Sequence, residues 1–472
     1  MKTSIYLTVI VLLLFSCKND KNNTGDSAYL GGEIINPTNP FVVILKSDYV
    51  LDTVALDNHN RFLYEIKGLQ SGFYTFKHGS EIQMVFLEPN DSIMFRLNTL
   101  DFDESLVYTG DGAKKNNYFI DEFLQNETEE KKIFQLCQLD PKEFEKQITL
   151  IKEAKNKRLK TFINKNHTSH LFGNIAQANI NYNYYSSKEI YPLINYQYEK
   201  RDILSLLPND YYNYRKDIDY NQEAYKDYLS YNSFLRTNFN NLTLEKHLGH
   251  SQDKYFNGNS ICYNLDRLKI IDSLVSNPSI KNDLLYYFTM TFLTKNKIIE
   301  NNGALTNLFL STSTDSKNNE IITNLSKAIN NLKPGGQLPD IKIVDFENSE
   351  ITFSSLINKP TAIYFWSHDF YQHFKESHYK VSELKKKYPE VNFIAVNIDI
   401  DNLNSWSNTL KKNRFSLTNE YHFKTPEESM HTLAIYPMTK VILIDKDNII
   451  VNSNSNMFAS NFEEQLLGII NK

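Results

Sequence analysis

The feature that most constrains this chain is the run Thr361-Ala362-Ile363-Tyr364-Phe365-Trp366, which carries no charge and passes through Ser367-His368-Asp369-Phe370 into a helical pattern over 371–388. A short segment that is apolar at successive positions, rather than at alternate ones, predicts a strand covered on both faces, as in the interior of an α/β sheet. A strand-to-helix turn at the edge of such a sheet is where these folds place their chemistry. The pattern around it alternates in the same sense. After the turn-rich hinge Lys333-Pro334-Gly335-Gly336-Gln337-Leu338-Pro339-Asp340, the spacing predicts strands at 341–345, 361–366 and 391–399, with helices at 371–388 and 403–413. A hairpin through Asp445-Lys446-Asp447-Asn448 joins strands at 440–445 and 449–452. The last helix opens with Ser460-Asn461-Phe462-Glu463, a capping-box sequence. Such an order builds a central sheet with helices on both faces.

The rest of the chain divides by pattern. Residues 1–17 form a targeting segment, with Lys2 as its positive start and an apolar stretch over 5–15 too short to span a bilayer. Residues 18–27 are a polar tether. Residues 28–110 read as β throughout, with strands at 41–46, 51–56, 61–66, 72–78, 82–87 and 92–97 separated by turn signals about every ten residues, which suggests a small sandwich. Residues 111–332 are helical, with segments at 117–126, 141–164, 169–185, 221–237 and 279–294 and a dense tyrosine population between Tyr182 and Tyr231. These tyrosines fit two readings, a binding surface for sugar or peptide and amphipathic filler where helices meet; the second is the commoner use of the residue. Residues 333–472 form the final α/β domain. The whole is a multidomain α+β chain: N-terminal β sandwich, helical middle and C-terminal α/β domain. Its net charge of -5 and lack of a basic block leave nucleic-acid binding without support.

Leu14-Phe15-Ser16-Cys17 resembles the lipobox of a bacterial lipoprotein signal. The resemblance implies that Cys17 becomes a lipidated N-terminus and that the mature chain is anchored to a membrane of the cell envelope, the outer membrane by this reading, with no spanning helix. Gly32-Glu33-Ile34-Ile35-Asn36-Pro37, Gly72-Phe73-Tyr74-Thr75-Phe76 and Phe86-Leu87-Glu88-Pro89-Asn90-Asp91-Ser92 resemble the β domain that precedes thioredoxin-like domains in Bacteroidetes lipoproteins, a domain without an established activity. Leu338-Pro339-Asp340, the stretch Lys359-Pro360 through Trp366, Ile435-Tyr436-Pro437-Met438-Thr439 and Leu443-Ile444-Asp445-Lys446-Asp447 resemble TlpA-type thioredoxin-like disulfide reductases. In that family the Phe-Trp pair leads into a Cys-x-x-Cys, and a cis-proline corresponding to Pro437 packs against the dithiol.

Here the chain departs from the family. Phe370-Tyr371-Gln372-His373 stands where the dithiol belongs, and no cysteine follows Cys262. Disulfide exchange needs a thiolate and a second, resolving thiol, so this turn cannot run it. Phe370, His373 and Pro437 are therefore vestigial active-site positions, and Trp366, Tyr436 and Met438 are expected to line a binding groove for a peptide or protein partner. No catalytic residue and no cofactor are assigned. Cys137 and Cys262 are expected to be two buried thiols. A metal reading of His368, Asp369, His373 and His378 is weak, because His373 and His378 are five apart and so about 140° round a helix instead of on one face. Solvent-exposed histidines and an Asp N-cap are the simpler expectation. The alternative function is an enzyme, related to thiol-disulfide oxidoreductases or metal-assisted, that works through His368, Asp369 or His373.

Overall fold

A computed structural model describes residues 25–471 apart from 48, 80, 102–104, 200–202, 252–256, 296–300 and 401–404. Cys17 and the targeting segment lie outside the described residues. The chain forms two compact units, residues 1–132 with 158–176 and residues 133–157 with 177–472. Among the described residues no helix is long and apolar enough to cross a membrane.

The first unit holds strands β1 (Ser27–Ile35), β2 (Phe41–Lys46), β3 (Tyr49–Ala55), β4 (Arg61–Lys67), β5 (Gly72–His78), β6 (Glu81–Leu87), β7 (Ser92–Asn98) and β8 (Val107–Asp111). They make two four-stranded sheets, ordered β4-β1-β7-β8 and β3-β2-β5-β6. β1 runs parallel to β7, and the remaining pairs are antiparallel. Alternate residues of both sheets meet in one core that includes Leu30, Ile34, Val42, Ile44, Phe76 and Phe95. Phe76 stacks on Phe95 across the two sheets at 4.5 Å between centroids. β1 crosses this core closely: a Cβ on Gly32 would lie 2.7 Å from the Phe95 ring, so only glycine fits there. β1 and β8 are strands that the sequence pattern did not mark; β1 carries two glycines in its middle, which dilute the alternation.

Helix α1 (Ala113–Leu136) follows β8, and its first turn closes one edge of each sheet. The side chain of Asn116 donates to the carbonyl of Phe86 and accepts from its amide, at 2.8 and 2.7 Å, on edge strand β6. Asn117 makes the same pair of bonds to Tyr108 on edge strand β8, at 2.8 and 2.9 Å. Two adjacent amides thereby occupy backbone groups that an exposed edge would otherwise offer to another chain.

In the second unit, helix α2 (Pro141–Asn166) contributes its first part, to residue 157, and α3 (His170–Glu199) its later part, from residue 177. They are joined by α4 (Leu229–Leu248), α5 (Ile261–Leu274), α6 (Pro278–Lys295), α7 (Asn302–Thr312) and α8 (Ser316–Asn331). The tyrosines are chiefly packing residues. Tyr182 and Tyr231 are in the core, Tyr185, Tyr214, Tyr225 and Tyr228 lie against it, and Tyr185 stacks on Tyr214 at 4.6 Å. Within them lies the buried carboxylate of Glu189, which accepts from Arg215 at 2.8 and 2.6 Å, Asn238 at 2.6 Å and Asn241 at 2.7 Å. A buried charge is tolerated when it is paired and its lone pairs are filled, as here.

The same unit carries a seven-stranded sheet ordered β10-β9-β13-β12-β11-β14-β15. Its strands are β9 (Lys342–Val344), β10 (Glu350–Thr352), β11 (Thr361–Trp366), β12 (Asn392–Asn397), β13 (Glu420–Phe423), β14 (Lys440–Ile444) and β15 (Ile450–Asn456). β11 is an interior strand, parallel to β12 and antiparallel to β14. Its apolar run is explained by the two cores it serves. Ala362, Tyr364 and Trp366 face one layer, with residues of α9 (Tyr371–Lys387), α10 (Ser405–Lys412) and α12 (Phe462–Ile470). Ile363 and Phe365 face the other, with α11 (Pro426–Thr432) and with Ala328 of α8. Burial on both faces removes the polar half of the strand alternation. The expected capping box of α12 does not form: Asn461 is the cap residue and makes no side-chain bond to the helix.

Candidate functional site

The site is the turn from β11 into α9 together with the facing loop at Tyr436-Pro437, whose peptide bond is cis. Phe370 is the residue before the helix and is 48% exposed, with Tyr371 beside it also exposed. Tyr436 is 55% exposed, and Phe458 lies open as well. His373 is half-buried one turn into α9, shares a 3.1 Å hydrogen bond between Nε2 and the Ser377 hydroxyl, and has its ring 6.2 Å from Phe458. Burial holds the His373 imidazole below its ordinary pKa, so it is a neutral ring near pH 7.

Three expectations need correction. Trp366 lines no groove: it is 0% exposed, packs on Phe374 at 4.8 Å and donates its indole N–H to Glu420 at 3.2 Å. Alternation along β11 turns this side chain inward while the backbone approaches the surface. Met438 is half-buried against the sheet core, leaving Tyr436 and Pro437 as the open part of that loop. The cap of α9 is Phe370 and not Asp369, with no side-chain hydrogen bond from the cap residue to the helix, and the Asp369 amide donates to the Ser367 hydroxyl at 3.1 Å.

The histidines are not all exposed either. His378 is buried on the inner face of α9, donates from Nδ1 to the Phe374 carbonyl at 2.7 Å, and brings Nε2 within 3.2 Å of the Glu420 carboxylate on β13. His368 is drawn under the turn by Asp399, at 2.6 Å from Nδ1 to Oδ2. Of the two remaining thiols, Cys137 is buried and burial pushes it up to about 12, whereas Cys262 is exposed.

Asp399 organises the floor of the turn. Its carboxylate accepts from the Ser367 hydroxyl, from the His368 backbone amide at 3.1 Å and ring, and from the Asn397 side chain at 2.6 Å. Asn397 in turn accepts at Oδ1 from His422 at 2.9 Å. Burial pushes the Asp399 carboxyl up, but the bonds from His368, Ser367 and Asn397 outweigh it and hold the group below the ordinary aspartate range. Ser, His and Asp are thus together, yet not as a catalytic triad. The serine hydroxyl points to the carboxylate, so no imidazole is placed to take its proton. Among the described residues, His368, Asp369, His373 and His378 do not gather into a group that could hold a metal ion.

Sequence reasoning missed Asp399, Asn397, Glu420 and His422. A signal was present for the first two: polar residues two apart at the carboxyl end of an apolar strand share one face and sit where α/β folds place functional groups. Beside the loop is a cleft of about 290 Å³ whose lining includes Thr294, Tyr436, Lys440, Asn454 and Gln465. Lys440 is buried, donates to the carbonyls of Leu433 at 2.7 Å and Ala434 at 2.9 Å, and is pushed down to about 7 by desolvation.

This sheet order, the strand-to-helix turn and the facing cis-proline loop define a thioredoxin-like domain at the C-terminal end of the chain. Residues 358–450 match a family model described as thioredoxin-like. Solved structures similar to the chain include a candidate thiol-disulfide oxidoreductase from Bacteroides vulgatus, 24% identical over 29% of this chain and 97% of that one, with a TM-score of 0.27. The C-terminal domain of a similar candidate from Bacteroides thetaiotaomicron is 19% identical over 30% and 98%, with a TM-score of 0.26. A thiol:disulfide interchange protein from a Bacteroides species is 16% identical over 29% and 91%, with a TM-score of 0.25. Comparison with curated proteins finds no match.

Proposed function

We propose that this is a lipid-anchored protein of the cell envelope whose thioredoxin-like domain binds an extended peptide segment of a partner and carries out no thiol-disulfide exchange. What supports the reading is the exposure of Phe370 and Tyr371 at the β11–α9 turn and of Tyr436 before the cis-proline, where the resemblance would put the dithiol and the loop that faces it. Exposed tyrosine and phenylalanine supply contact area at low entropic cost, and the backbone beside the proline offers hydrogen bonds to an extended chain. The neighbouring cleft, with amide side chains at Asn454 and Gln465, suits one polar side chain of such a segment. Beneath the surface, Ser367 and His368 are engaged with Asp399, which presents neither as a nucleophile or base.

The test replaces Phe370 with a photo-crosslinking phenylalanine analogue in the native envelope and reads adducts by mass spectrometry, alongside a disulfide-reductase assay on the purified chain. A discrete protein adduct, lost when Tyr436 is changed to Ala, together with no reductase turnover, is the expected result. Turnover at a family-like rate that disappears with Cys137→Ser or Cys262→Ser would refute it.

A further inference from the structure

We propose that the helical region holds a zinc ion between α4 and α5, on His247, His250, Cys262 and Asp266, as a structural brace. One donor atom from each of these four side chains lies within 4.8 Å of all the others. Asp266 Oδ2 is the hub: it is 2.7 Å from His250 Nε2, 3.6 Å from His247 Nδ1 and 4.0 Å from Cys262 Sγ.

The placement follows from helix geometry. His247 is in the last turn of α4, and the chain closes on it through bonds from the amides of His250 and Ser251 to the His247 carbonyl, at 3.2 and 2.8 Å. His250, three residues on, is thereby folded back over His247, with the two rings 5.6 Å apart and nearly perpendicular. Cys262 and Asp266 are four apart in the first turns of α5 and so share one face. Tyr263, between them in sequence, donates its hydroxyl to the Asn240 carbonyl of α4 at 2.8 Å, which fixes the two helices against each other beside the cluster. The spacing rule that His373 and His378 fail is met here twice, by His247 with His250 and by Cys262 with Asp266.

The donor set selects the ion. Two imidazoles, one thiolate and one carboxylate match tetrahedral zinc and do not suit magnesium or calcium, which take oxygen ligands. Thiolate and carboxylate together balance the charge of a divalent cation. In tetrahedral zinc, with bonds of roughly 2.0 Å to nitrogen and 2.3 Å to sulfur, donors stand roughly 3.3–3.5 Å apart. The ion would therefore replace the direct His250–Asp266 hydrogen bond and draw Cys262 inward. His247 and Asp266 are buried, whereas His250 and Cys262 reach solvent, so an ion can enter without unfolding the helices. Four protein ligands leave no open position, which makes the site a clamp between α4 and α5 and not a catalytic centre.

The full chain, stripped with chelator, is titrated with zinc and with cobalt(II). One equivalent of zinc by mass spectrometry, and a tetrahedral cobalt spectrum with a thiolate charge-transfer band, are expected. The band is lost in Cys262→Ser and kept in Cys137→Ser, and zinc affinity drops at least 10-fold in His250→Ala. With zinc at 100 times its Kd, the unfolding temperature of the helical region rises by roughly 5 °C in the native chain and stays put in Cys262→Ser. Cys262 and His250 are both solvent-facing, so these variants test the site even if the buried His247→Ala fails to fold. No zinc taken up, octahedral cobalt, or stoichiometric zinc that survives both variants would each overturn the assignment.

Discussion

Replacing Asp399 with alanine removes the acceptor that ties the end of β12 to the β11–α9 turn. Four donors lose their partner: the Ser367 hydroxyl, the His368 amide and ring, and the Asn397 side chain. A hydrogen bond to a charged group contributes about 1.5–3 kcal/mol, but these share one carboxylate and are not additive. His368 reaches solvent in part, and Asn397 keeps its 3.4 Å bond to the Trp366 carbonyl, so the expected loss is about 3 kcal/mol, near the lower end of the range for breaking a buried charged network. Asp399→Asn keeps one acceptor and is expected to cost about 2 kcal/mol. The chain has two tryptophans, Trp366 and Trp406, both buried in the thioredoxin-like domain, so tryptophan fluorescence in urea follows the compact unit that contains it. The pH dependence has a defined sign. The carboxyl is held below the ordinary aspartate range, so its contribution is full above about pH 4–5 and is lost as pH falls through the depressed folded value. The gap between the native chain and Asp399→Ala should therefore shrink below about pH 4. A variant within about 0.5 kcal/mol of the native chain at pH 7 would show that the network is not what holds the turn.

Three further outcomes are expected. Lys440 has a folded pKa of about 7 against an unfolded value near the ordinary lysine range. The unfolded state binds more protons between them, so stability should rise by a few kcal/mol from pH 7 to 10, and Lys440→Met should flatten that slope in the same fluorescence titration. In a soluble, chelator-stripped chain beginning at Lys18, a thiol reagent at pH 8 should label Cys262 within minutes and Cys137 only after denaturation, because the Cys137 thiol is buried and raised to about 12; prompt labelling of both in the native state would contradict the packing. Phe76→Ala should cost the sandwich about 3–5 kcal/mol, read as faster hydrogen exchange in β1–β8 with the tryptophan transition unmoved.

The segment 361–366 was legible as a strand to the residue, since a run apolar at every position has one stable place in an α/β fold, and 41–46 and 72–78 were equally clear. Helix α5 and strands β1, β8 and β13 were not. Leu-rich and Asn-rich stretches of mixed spacing take their form from what covers them, and β1 owes its glycines to the closeness of Phe95.

The sites divide in the same way. That Phe370-Tyr371-Gln372-His373 supplies no thiolate is a matter of residue type, and the sequence alone determined it. That Trp366 turns inward, that Ser367 and His368 meet on Asp399, and that Cys262 lies against His247 depend on contacts between residues 15 to 32 apart or on the hand of a strand. Composition and spacing specify which groups a chain has and which face of one element they share. Which elements bring their faces together is decided only when the cores close, since burial there rewards total apolar area and sets the partners of the polar groups as a consequence.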